Sequence, residues 1–204
     1  IELPADTEMG LQYAVLAGLD DPIVEIAITP NHQDTLGVYG IARDLAARGI
    51  GKLKPHDHAP VAGDFPCPIS VSIDDDTADG CPQFTGRLIK CVKNGPSPQW
   101  LQDQLTAIGL RPISALVDIT NYFTFDQNRP LHVFDAAKVS GNLRVHRAVG
   151  GEKITALDEK EYTLAAGQMV ISDDNGAESI AGIMGGDATG CTEETVDVFL
   201  ESAY

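Results

Sequence analysis

Thr120 and Asn121 stand side by side in Val117-Asp118-Ile119-Thr120-Asn121-Tyr122, and His132 follows in Pro130-Leu131-His132-Val133-Phe134-Asp135. A hydroxyl, an amide and an imidazole carry donors and acceptors that can hold a small molecule in a polar-lined pocket. No Ser-His-Asp arrangement accompanies them, so they do not spell out a covalent nucleophile. The plainer alternative is a polar stripe facing water and a core histidine with its hydrogen bonds satisfied. Glu201 is a further candidate, a carboxylate inside the apolar run Val196 to Ala203. Its charge must be exposed, paired or functional, and exposure on the outer face of a strand is the default. Ala181-Gly182-Ile183-Met184-Gly185-Gly186 completes the set. Glycines so spaced lack the full dinucleotide fingerprint and its setting, and they read as a bulge, a turn or a close backbone approach.

The elements that position these residues follow from periodicity. Thr120, Asn121, Thr124 and Gln127 form the polar stripe of a helix-like segment that Ser114 caps, and Asn128-Arg129-Pro130 is a turn before an extended run around His132. Upstream, Ile23 to Ile28 alternates as a half-buried strand, and Asn31 and Asp34 are placed to cap a helix with Leu36, Tyr39, Ile41, Ala42, Leu45 and Ala46 on its apolar face, stopping at Gly49. Ile69 to Ile73 and Phe84 to Val92 read as strands separated by an acidic, solvated turn at Asp74-Asp75-Asp76. Ser97-Pro98 opens a helix with Trp100, Leu101, Leu105 and Ile108 along one stripe, ended by Gly109. Leu143 to His146, Lys153 to Leu157, Met169 to Ser172 and Val196 to Ala203 are further strands. Many short strands with few helices predict an α+β fold, with an antiparallel or mixed β-sandwich-like core and a few peripheral helices. Residues 1–50 read as an N-terminal strand and helix, 51–68 as a Pro/Gly/His-rich linker and 69–204 as the main module.

Composition narrows the function classes. A net charge of −16 over 204 residues argues against broad phosphate binding, so any nucleic-acid contact is expected to be local and directed. Cys67, Cys81, Cys91 and Cys191 form no CxxC pair and read as reduced thiols. His56 and His58 lack an evident third ligand, three adjacent aspartates cannot converge on one ion, and no metal site is expected. No apolar run approaches the length of a membrane span and no signal peptide is evident, which makes the cytoplasm the expected location. The opening without Met suggests a piece of a longer polypeptide.

Several motifs together resemble one family. They are Thr29-Pro30-Asn31-x-x-Asp34-x-Leu36 with Gly40 to Ala46, Val117 to Tyr122, Pro130 to Asp135, Gly182 to Gly186, and Leu200-Glu201-Ser202-Ala203. In this order and spacing the chain resembles the B3/B4 region of the bacterial phenylalanyl-tRNA synthetase β subunit. His32 stands where that family usually has Arg, and Leu131 where it usually has Met. The resemblance implies an editing module that hydrolyses tyrosine wrongly attached to the phenylalanine tRNA. It assigns Thr120, Asn121 and His132 to the surroundings of the aminoacyl ester, where they would orient water and carbonyl. Pro130, Ala181, Gly182 and Glu201 fall on the substrate-binding side, Glu201 accepting the phenol hydrogen bond. A site that demands the hydroxyl would reject phenylalanine by leaving a buried polar group unpaired, at about 1–3 kcal/mol. No cofactor is implied for this domain, with ATP and Mg belonging to the full synthetase. The implied partners are the acceptor end of the tRNA carrying tyrosine and a synthetase α subunit in an α2β2 tetramer. The alternative is a non-catalytic structural and tRNA-positioning module.

Overall fold

The computed structural model describes residues 3, 5–20, 22–55 and 59–204. Four α-helices are described: α1 (Tyr13–Leu16), α2 (Val38–Ala47), α3 (Gln99–Ala107) and α4 (Ala115–Gln127), with a 3-10 turn at Pro30–Thr35. The strands are β1 (Val71–Ile73), β2 (Phe84–Ile89), β3 (His132–Asp135), β4 (Leu143–Arg147), β5 (Lys153–Thr155), β6 (Glu161–Thr163), β7 (Met169–Ser172), β8 (Ala177–Ile180), β9 (Met184–Gly185) and β10 (Val198–Ala203). They form a five-stranded sheet in the order β1-β4-β7-β8-β9, a three-stranded sheet in the order β2-β10-β3, and the hairpin β5-β6. Among the described residues only the β1–β4 pairing is parallel. The architecture is the mixed α+β sandwich that the strand pattern predicts.

Alternation along the strands explains how the sheets stack. Leu143 and Val145 on β4 and Ile171 on β7 meet Phe134 of β3 and Phe199 of β10 in one buried cluster between the two larger sheets. Val170 and Ile180 point the other way, joining Ala148, Ile154 and Leu164 beneath the β5-β6 hairpin. Neighbouring residues such as Val170 and Ile171 thus serve opposite cores, as the period of two demands. Phe134 and Phe199 are 0% and 1% exposed. Full burial of such a ring contributes about 1.5–3 kcal/mol, so these two residues pin the three-stranded sheet to its partner.

Several local expectations are corrected. Residues 22–29 form no strand and pair with none among the described residues, and Ile23 and Val24 are 62% and 74% exposed. Alternation specifies a strand's two faces and cannot supply its hydrogen-bonding partner. Asn31 and Asp34 do not cap α2, because a 3-10 turn intervenes and Gly37 holds the N-cap position without a side-chain bond. Asp34 instead pairs with Arg43. The Asp74-Asp75-Asp76 turn is not simply solvated: Asp74 accepts from Arg144 Nε at 2.9 Å, and that guanidinium lowers its pKa. Leu36 and Leu45 are exposed, as are Trp100 and Ile108, leaving Leu101 and Leu105 as the buried stripe of α3. Strands β6, β8 and β9 are not legible in the sequence, since Glu161-Tyr162-Thr163 and Ala177-Glu178-Ser179-Ile180 carry too few apolar residues to show an alternation and Met184-Gly185 lies in the glycine-rich stretch that reads as a bulge or turn.

Ser97 is not the N-cap of α3. Pro98 takes that position, and the Ser97 hydroxyl donates to Asp118 Oδ2 at 2.5 Å. The other oxygen of Asp118 accepts the amide of Ile113 at 2.9 Å, and the side chain is fully buried. Ser114 does occupy the N-cap of α4, but its side chain makes no capping bond. Asp118, in the first turn of α4, ties down the preceding loop instead and favours the positive end of the helix dipole.

Candidate functional site

Strand β10 runs between β2 and β3, and its register sets Glu201 opposite His132 on one side and Gly86 on the other. Residues directly opposite across a ladder hold their Cβ atoms about 5 Å apart on the same face. That face also carries Phe199 opposite Phe134, and it looks into the core between the sheets. Glu201 is therefore not on an outer face: it is 9% exposed, and its Oε2 is buried without a hydrogen-bond partner. Nor is His132 a satisfied core histidine, because its Nε2 is likewise buried and unpartnered.

The surroundings fix the imidazole tightly. Its ring stands edge-on to Phe134 with centroids 4.5 Å apart. On the other side comes Gly185 of β9, where an added Cβ would lie 2.3 Å from His132 Cε1. Only a residue without a side chain allows the backbone of the five-stranded sheet so close to the ring. Burial lowers the His132 pKa to about 4 and raises that of Glu201 to about 7. At neutral pH the imidazole is uncharged, and the carboxyl group titrates within the physiological range. Cys81, buried in the same core, also feels the Glu201 charge, although its thiol is raised chiefly by burial.

The remaining candidates differ in depth. Ala181 packs against the core cluster, while Gly182 is exposed at a φ of +71° in the turn between β8 and β9. Thr120 and Asn121 are half-buried on α4, which packs against β3. The Thr120 hydroxyl donates to the Val117 carbonyl at 2.8 Å and Thr124 to the Thr120 carbonyl at 2.9 Å, so both are satisfied within the helix. The Asn121 amide makes no hydrogen bond among the described residues, and none joins Thr120 or Asn121 to His132. Pro130 is exposed, in the connection between α4 and β3. The structure thus brings His132 and Glu201 together directly and packs Ala181 against the same core, whereas no hydrogen bond among the described residues brings Thr120, Asn121, Pro130 or Gly182 to the pair. Gly185 is the residue that sequence reasoning left unassigned, and its one signal was the Gly185-Gly186 pair.

Residues 80–204, which contain all of these positions, match the family described as the B3/4 domain. The chain belongs to the B3/4 domain family. Among curated relatives, the phenylalanine–tRNA ligase beta subunit of Ruegeria pomeroyi is 80% identical over 90% of this chain, and that of Cereibacter sphaeroides is 62% identical over all of it. The B3/4 chain spans about a quarter of these relatives, 23% and 26% of their lengths. A crystal structure of an N-terminal fragment of the phenylalanyl-tRNA synthetase beta subunit from Pyrococcus horikoshii shares the fold, with a TM-score of 0.51 at 17% identity over 85% of this chain and 52% of that one. In this B3/4 domain no helix among the described residues is long and apolar enough to cross a membrane. No group of three or more His, Cys, Asp or Glu residues among them could hold a metal ion.

Proposed function

We propose that this B3/4 domain hydrolyses the ester of tyrosine misattached to the phenylalanine tRNA, as part of a phenylalanyl-tRNA synthetase β subunit. The observation that carries the reading is the His132–Glu201 pair: a half-buried imidazole and a buried carboxyl group opposite one another, each with a buried, unpartnered atom. A buried polar atom without a partner costs about 1–3 kcal/mol, and a ligand that supplies the missing hydrogen bond recovers that cost. The phenol of tyrosine donates to the Glu201 carboxylate, and phenylalanine offers nothing in its place. A neutral His132 accepts or donates through Nε2 without bringing a charge into the core. Asn121, with its amide uncommitted, orients the attacking water and the ester carbonyl, and the Thr120 hydroxyl, whose proton goes to the Val117 carbonyl, accepts from that water. An ester is already activated relative to an amide, so alignment of water, carbonyl and a ribose hydroxyl suffices as the catalytic principle.

Binding of two stable mimics, 3′-tyrosylamino-adenosine and 3′-phenylalanylamino-adenosine, tests this by NMR. The tyrosyl compound is expected to bind preferentially and to shift resonances of Thr120, His132, Gly182 and Glu201. Equal binding of both compounds would overturn the tyrosine-selective site.

One observation favours a second reading, a non-catalytic structural and tRNA-positioning module. Two open grooves of about 360 Å³ lie elsewhere, one beside Lys90 and Asp197 and the other beside α2, and neither is lined by His132 or Glu201. Under this reading neither mimic shifts the pair.

A further inference from the structure

Arg129 sits three residues before His132, in the connection between α4 and β3, and its side chain reaches back to the end of β10. Asn128 turns the chain there with a left-handed φ of 55°. Arg129 Nη1 donates to the Ala203 carbonyl at 3.0 Å, and the guanidinium lies 5.7 Å from the centre of the Tyr204 ring. Ala203 is two residues beyond Glu201 on the same strand face, about 7 Å along it. The cation is therefore fixed at the end of the sheet that carries the candidate pair. Arg129 forms no ion pair among the described residues, as is also true of Arg48, Arg87 and Arg111, and what sets it apart is its place, held by the Ala203 carbonyl at the end of the strand that carries Glu201. In a chain of net charge −16, an uncompensated, positioned guanidinium beside a candidate site calls for an anion from outside. Its planar fork of five donors matches phosphate oxygens, and the bond to Ala203 leaves most of them available.

We infer that Arg129 is a positioning residue that grips a backbone phosphate of the RNA strand whose esterified 3′ ribose enters the His132–Glu201 site. The inference rests on the ester-hydrolysis reading and adds to it the local, directed nucleic-acid contact that an acidic domain requires. It accounts for how such a domain holds RNA without a broad basic surface. The competing role is a purely structural tie that secures the end of β10.

The two are separated with the full-length protein and a pair of non-hydrolysable ligands, 3′-tyrosylamino-adenosine and the trinucleotide cytidyl-cytidyl-adenosine carrying the same 3′-tyrosylamino group. The native protein is expected to bind the trinucleotide about tenfold more tightly than the nucleoside, the factor one charge-assisted contact supplies. Arg129→Gln is expected to abolish that ratio and leave nucleoside affinity unchanged, and Arg129→Lys to restore part of it. An unchanged ratio in Arg129→Gln, or equal weakening of both ligands, would overturn the inference. Equal binding of 3′-tyrosylamino-adenosine and 3′-phenylalanylamino-adenosine to the native protein would instead remove the hydrolytic reading, and the trinucleotide ratio would still report on Arg129.

Discussion

Glu201 and His132 are shifted in opposite directions by the same cause, burial without a partner, and each shift has a consequence with a definite sign. The folded state holds the Glu201 proton up to pH about 7, whereas the unfolded chain releases it near 4.5. Its contribution to stability is therefore lost as pH rises through that window, and the difference amounts to about 3 kcal/mol above it. His132, lowered to about 4, acts inversely: the unfolded chain takes up its proton below about 6.5, so stability falls as pH drops through 6.5 towards 4. Glu201→Gln is expected to be more stable than the native chain at pH 8 and nearly equal to it at pH 5 in urea denaturation. The ionisation also bears on selectivity, because a phenol donates to carboxylate more strongly than to a protonated carboxyl group. Discrimination between tyrosyl and phenylalanyl esters should accordingly increase from pH 6 to pH 8, and Glu201→Ala should reduce it about tenfold or more while hydrolysis of the phenylalanyl ester stays nearly constant. Equal loss on both esters in a deacylation assay would count against the role. At Gly185 a methyl group would meet the imidazole at 2.3 Å from Cε1. Gly185→Ala should displace the ring and cost about 1–3 kcal/mol of stability, measurable together with a shifted His132 resonance.

Helix α4 shows how one element can hold both a structural anchor and candidate site residues. Asp118 faces inward and fastens the loop through Ser97 and the Ile113 amide, while Thr120 and Asn121, one turn of helix or less further on, sit on the half-buried flank. Removing the anchor by Asp118→Ala leaves the Ile113 amide and the Ser97 hydroxyl without their acceptor, and should destabilise the domain by about 2–4 kcal/mol, read from the shift in urea midpoint. Ser97→Ala removes only the hydroxyl bond and should cost less. Strand β10 plays the corresponding part among the strands, since it is paired on both sides and carries Phe199 and Glu201 on one face. The carboxylate is buried because residue 201 falls on the same face as Phe199, the face turned towards the five-stranded sheet, whereas Leu200 and Ser202 on the other face are half-buried.

At the scale of the whole molecule, order is distributed unevenly along the chain. The amides of β10 and β7 lie in the sandwich, whereas residues 22–29 bond to no strand among the described residues and expose Ile23, Val24 and Ile26. Hydrogen exchange should therefore be fastest over 22–29 and slowest over β10 and β7, and protection across 22–29 in this chain would contradict the described arrangement. The sequence by itself determined most of the alternating strands, though not Ile23 to Ile28, together with the two helices around Leu101 and Thr120, the α+β class and the motifs that resemble the B3/B4 region, because periodicity and local residue chemistry are written over short spans. Only the tertiary structure decided that Glu201 is buried and not exposed, that it faces His132 and that Gly185 presses on that ring. It also decided that Arg129 reaches Ala203, and that Asp118 rather than Ser97 or Ser114 anchors its corner. Each of these depends on sheet order and register, which join residues far apart in the chain, and no periodicity within a single segment specifies which strand will lie beside it.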